Sequence, residues 1–258
     1  LRRMLALDRA SFAILVKEVR LFLREPVQWG QCALIFGLLL MYSANLRRLG
    51  YDLQNPFWTT VISHLNLLVC CLALSTLTTR FIYPQFSLEG QRMWILGLSP
   101  VPLHRVLALK LRLSAGVLSL VMTTLVCLSG MSLGMPAQRT LFFCIAIVML
   151  SYGLTSLSLS LGALLPNFRE ANPARIVSGF GGTVCLISSF VYILLGMTVL
   201  LIPSWKHLKP LATTLPPPDW RLEGISLGLL LLLTLLAGGL PYFFAKKRTK
   251  NLDYLADL

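Results

Sequence analysis

Charge is scarce in this chain. Asp, Glu, Lys and Arg supply 13% of its 258 residues, where an ordinary soluble domain carries about 25%. Apolar residues supply 56% and the mean hydropathy is +0.74, so a soluble fold of this length is excluded. Acidic residues are the rarest of the charged set, 10 against 23 Lys and Arg, and none lies inside a long apolar run. No Lys or Arg lies there either, which argues against an ion-coupled carrier, since such proteins place ionisable groups near the bilayer centre. The six cysteines, Cys32, Cys70, Cys71, Cys127, Cys144 and Cys185, form no CxxC and no Cys/His spacing. They read as small buried apolar residues rather than metal ligands or disulfides. His64, His104 and His207 are far apart, and HExxH, GxSxG and GxxxxGK[ST] are all missing. No catalytic constellation and no metal site can be named. The chain opens on Leu1 rather than Met, so we expect a piece of a longer protein.

What is present is apolar length. Residues 27–46, 57–79, 113–138, 140–168, 176–205 and 225–245 are free of charge, and each reaches the roughly 20 residues a helix needs to cross a bilayer. None shows the ten-residue alternation of a membrane barrel. The expected fold is all-α, an integral membrane protein with six transmembrane helices. The expected organisation is an amphipathic helix over residues 1–26, a six-span domain over 27–245 and a tail over 246–258. The net charge of +13 follows the loops: 17 Lys and Arg fall on the side of the N-terminus and 6 on the other. Positive residues gather on the cytoplasmic side, so both termini are expected inside. The basic balance then belongs to topology and lipid headgroups, not to nucleic acid.

Asp8 can cap a helix that ends before Pro26. Phe12, Leu15, Val16, Val19, Phe22 and Leu23 make one face and Arg9, Lys17, Arg20 and Arg24 the other, the pattern of a helix lying in the membrane interface with its basic side towards the headgroups. Trp29, Trp58, Trp205 and Trp220 stand near span ends, as an interfacial belt would have them. A tight outer hairpin is expected around Met135 to Arg139, and an outer loop over 203–222 with an extended Pro216-Pro217-Pro218. Ser151, Thr155, Ser158 and Gly162 in span four, and Gly179 and Gly182 at span five, are spaced for close helix packing. A polar pathway wall is the alternative use of the same stripe. His64 and Asn66 are the strongly polar mid-membrane pair, read first as interhelical hydrogen-bonding groups.

The inner loop over 80–112 is the most telling stretch. It carries Ser87-Leu88-Glu89-Gly90, then Trp94, Leu98, Ser99 and Pro100, and reaches Lys110. A second inner loop, with Arg169, Glu170, Asn172 and Arg175, is bounded by Pro166 and Pro173. Together with Lys17 to Pro26, this layout resembles the permease subunits of ABC exporters. The segments 84–90 and 172–182 are similar to a bacterial group of ABC exporter membrane proteins. The non-acidic Gln91-Arg92-Met93-Trp94 departs from common exporters, which often have Thr-Leu-Glu there.

The resemblance implies a cytoplasmic coupling helix from about Leu88 to Leu98, cupped by a separate ATPase subunit that binds ATP and Mg. It implies Glu89 as a charged contact, Trp94 and Leu98 as apolar anchors, and Ser99-Pro100 as the end of the segment. It further implies a second permease half or a homodimer, a place in the bacterial inner membrane, and no enzymatic chemistry in this chain. The export of an amphipathic or lipid-like substrate is expected. The rival readings are a solvated loop with Trp94 on the headgroups, or a non-transport assembly or sensor subunit whose loop docks a cytoplasmic partner.

Overall fold

The computed structural model describes residues 9–24, 26–45, 56–90, 102–170, 172–205 and 220–256, and every element among them is helical. Helix α1 covers Arg9–Arg24 and α2 covers Pro26–Asn45. They meet at 78°, with Pro26 opening α2, where its missing N–H costs nothing. Helix α3, Pro56–Leu77, runs on through a single π turn, Thr78–Ile82, into the short α4, Gln85–Glu89. Next come α5, Leu103–Ser132, and α6, Ala137–Leu164, joined by a tight turn in which Gly134 takes φ +66°. Such a backbone suits a residue without Cβ. The short α7, Pro173–Ser178, leads into α8, Phe180–Leu201. Helix α9, Trp220–Thr234, passes through a second π turn, Leu235–Gly239, into α10, Leu240–Ala256.

Helix α6 is the axis of the bundle and packs against α3, α5, α8, α9 and α10. Its residues 153–160 are all buried, every side of two turns. A helix that is apolar or small all round faces either lipid or other helices, and around these two turns it is the neighbouring helices. Leu150, Leu154, Ile147 and Ile193 have no exposed surface, while Phe190, Leu194, Leu232 and Leu236 on the outer helices are exposed. That is an inside-out arrangement for water and a normal one for lipid. Five described helices are long and apolar enough to cross a membrane, or up to six if the bent pair α1–α2 counts as one span.

Helix boundaries differ from the charge-free runs. Helix α5 starts at Leu103, ten residues before the expected span, and stops at Ser132, ahead of Pro136. Helical structure after α3 persists to Glu89. The 33-residue loop is therefore shortened from both sides, because Ile82, Phe86 and Leu107 are buried in one apolar cluster and hold both flanks in helix. The expected tail over 246–258 begins inside α10. Asp8, residues 91–101 with Trp94, Leu98, Ser99 and Pro100, and residues 206–219 with the triple proline lie outside the described residues.

Candidate functional site

Four charged side chains close a ring where α1, α4 and α5 meet. Lys17 Nζ lies 2.8 Å from Glu89 Oε1 and 3.5 Å from Glu18 Oε1. Lys110 Nζ lies 3.1 Å from Glu89 Oε2 and 3.2 Å from Glu18 Oε2. Charges alternate around the ring and cancel. Lys110 is only 3% exposed, and a lysine so buried has to be paired. The ring lies past the apolar part of α3, which ends before Arg80. Burial would push the Glu89 carboxyl upward, but Lys110 and Lys17 outweigh it and hold it below the usual carboxylate range. Burial likewise works against the Lys17 ammonium, yet Glu89 and Glu18 keep it above its ordinary value.

Glu89 was expected to offer its charge to a partner. Within this chain both its oxygens are engaged by lysines. Lys17, expected to face headgroups with the other basic residues of α1, is exposed as Arg20 and Arg24 are, and its ammonium also reaches Glu89. The sequence puts Glu89 and Lys110 in the first loop and Lys17 on the basic face of the first helix. Closure of the ring joins residues up to 93 positions apart in sequence, which no local spacing reveals.

The rest of the first loop meets the second. Ser87 Oγ accepts a hydrogen bond from the Asn167 N–H at 3.1 Å. A Cβ added at Gly90 would come within 1.9 Å of the Phe168 ring, so this glycine lets the two loops touch. Leu88 packs beside Tyr83, Ile176 and Cys185. Asn172 caps α7, its Oδ1 accepting from the Ala174 N–H at 3.0 Å, with Pro173 in the first turn. Arg175 reaches Glu170 at 3.8 Å on the surface, an exposed pair of small energetic weight. Arg169 is exposed and its N–H donates to Asn167 Oδ1.

The small-residue stripe is inside the bundle. Ser151, Thr155 and Ser158 are fully buried. Ser151 donates to the Ile147 carbonyl of its own helix, Ser158 meets Cys185 Sγ at 3.4 Å, and Thr155 Oγ1 has no hydrogen-bond partner among the described residues. A Cβ at Gly162 would fall 2.2 Å from the Tyr83 carbonyl oxygen, and one at Gly182 would fall 1.9 Å from that of Val177. Gly179 sits between α7 and α8.

At the other end of the bundle, Arg139 donates to Thr60 Oγ1 at 3.0 Å and Ser204 Oγ at 3.4 Å, and Gln138 donates to Glu223 at 3.2 Å. His64 ties α3 to α8: Nδ1 lies 2.9 Å from the Thr60 carbonyl oxygen and Nε2 3.3 Å from that of Leu200. A neutral ring can donate to only one of these acceptors. No group of His, Cys, Asp and Glu suited to a metal ion occurs among the described residues.

Comparison with curated proteins and with solved structures returns no match. A family model does match, over residues 1–254, nearly the whole chain. The chain therefore belongs to the ABC-related family described as "Putative ATP-binding cassette".

Proposed function

We propose that the chain is the membrane-spanning permease component of an ATP-driven ABC exporter. It would have six spans, α1 in the membrane interface, and both termini on the cytoplasmic side of a bacterial inner membrane. The family description names an ATP-binding cassette, yet the sequence has no GxxxxGK[ST] loop and the described residues include no strand to carry one. We therefore assign ATP and Mg to a separate subunit, and bond-breaking chemistry to that subunit rather than to this chain.

The ring of Lys17, Glu18, Glu89 and Lys110 is the observation that carries the reading. A partner that grips the segment from Leu88 to Leu98 pulls on Glu89. Separating Glu89 from Lys110 would strand charge in a site with little water, at a cost on the order of 3–5 kcal/mol. Moving α1 and α5 together with α4 is the cheaper response. The ring thus converts a push on a short cytoplasmic segment into a shift of the interfacial helix and of a spanning helix. The absence of fixed charge within the apolar runs favours an amphipathic or lipid-like substrate, and the exposed apolar faces leave room for a second permease half or a second copy.

Purification from native membranes under mild conditions tests this. We expect an ATPase subunit to accompany the protein, to be lost with Trp94→Ala, and to be retained with Trp220→Ala, a residue 69% exposed at the far end of the bundle. A preparation that keeps other native partners but contains no ATPase would overturn the reading in favour of a docking subunit.

A further inference from the structure

We infer that Tyr83 pins the two loops beside the charge ring, together with the start of α8, into one rigid unit. Its purpose rests on the transporter reading; its geometry does not. Tyr83 follows directly on the π turn, where its N–H bonds the Thr78 carbonyl at 3.0 Å. A π turn of this kind shifts the helical register and is common at functional joints. The side chain is 1% exposed, and its hydroxyl donates to the Leu165 carbonyl at 3.2 Å.

Leu165 is the capping residue just beyond α6. The last carbonyls of a helix have no partner within it, so α6 is finished by side chains from elsewhere: Tyr83 on Leu165, and Arg248 of α10 on Leu164. Two glycines admit the tyrosine. A Cβ at Gly162 would lie 2.2 Å from the Tyr83 carbonyl oxygen, and one at Gly181 would lie 2.0 Å from its hydroxyl. Both distances are far inside van der Waals contact, so α6 and α8 each press on Tyr83 where they have no side chain. Four residues along, Ser87 accepts from the Asn167 N–H, and Gly90 lies against Phe168. Residues 83–90 and 162–168 are therefore fastened at both ends, and α8 is fastened to them through Gly181. A displacement of α4 reaches α1 and α5 through the ring and α6 and α8 through Tyr83. Tyr83 is a positioning residue: it touches no substrate and acts by holding the loops in one piece.

Hydrogen exchange on the full chain in mild detergent reads this directly. Tyr83→Phe keeps the ring but leaves the Leu165 carbonyl without its donor; Gly181→Ala pushes the hydroxyl away while leaving the tyrosine in place. Each is expected to speed exchange in 83–90 and in 162–170 together, about tenfold, equivalent to about 1.4 kcal/mol, with residues 140–150 of α6 unchanged. A response confined to one segment, or none, would overturn the single unit. A second arm compares ATP hydrolysis by the purified complex of Tyr83→Phe with that of the parent: a fall is expected, because a loosened unit transmits less of the push on α4, and unchanged hydrolysis would overturn the inference. If no ATPase accompanies the protein, the transporter reading fails on that ground, and the exchange result still decides the joint.

Discussion

Lys110 shows how much a single residue is asked to carry. At 3% exposure its ammonium depends on Glu18 and Glu89, so Lys110→Met should leave two carboxylates sharing Lys17 and cost about 3 kcal/mol in an unfolding titration in mixed micelles. Adding Glu89→Gln should recover part of that loss, because it removes one of the stranded charges; strict additivity would show that the two do not interact. The pH dependence has a definite sign. Glu89 is held below its ordinary value of 4.5, so its contribution is present above that pH and fades as pH falls through the lower folded value. Lys17 is held above 10.5, so its contribution is present below that pH and fades as pH rises through the higher folded value. Glu89→Gln should therefore be less stable than the parent at neutral pH and should lose less on acidification; parallel acid limbs in the two proteins would refute the ring's electrostatic role. Sequence alone singled out Glu89 and placed Lys110 in the same loop. Their pairing was hidden because Lys17 and Glu18 arrive from another helix, and periodicity places Lys17 on the solvent side of α1.

Among the elements, α6 was the most legible and the joint after α3 the least. The spacing of Ser151, Thr155, Ser158 and Gly162 marked a close-packed face, and that face is buried. The extent of burial was not legible, since an apolar run looks the same whether it faces lipid or other helices. The π turn at Thr78–Ile82 left no mark that sequence reading could use: the charge-free run stops at Thr79, and the expected span stops with it. Burial of Ile82 and Phe86 decided otherwise. Glycines give the element-scale test. Gly182→Ala must displace the Val177 backbone and should cost about 1–3 kcal/mol. Gly228→Ala on α9 meets nothing within 4 Å and should gain about 0.5–1 kcal/mol from helix propensity. Thermal denaturation of the two variants in one detergent checks both, and equal shifts would remove the close-packing account of α8.

For the whole molecule, charge distribution and geometry agree on which ends are alike. The ring of Lys17, Glu18, Glu89 and Lys110, the two facing loops and the basic stretch of Lys246, Lys247 and Arg248 belong to one end of the bundle; the hairpin at Gly134 and the Arg139 network belong to the other. With six alternating spans the sequence would put 17 Lys and Arg on the first side and 6 on the second, and such a bias orients short loops. If the first end faces the cytoplasm, an ATPase can reach the two loops. If it faces outward, the proposed coupling has no source of ATP, whatever the chain's internal geometry. Ala174 on α7 and Ala137 at the hairpin are both exposed and lie at opposite ends. On intact cells whose outer membrane has been made permeable, a maleimide that cannot cross the inner membrane should label Ala137→Cys and spare Ala174→Cys until that membrane is opened, with the parent protein, whose six cysteines lie within helices, as background. The reverse pattern would place the ring on the outside and end the exporter reading, while leaving the Tyr83 joint intact as a structural feature.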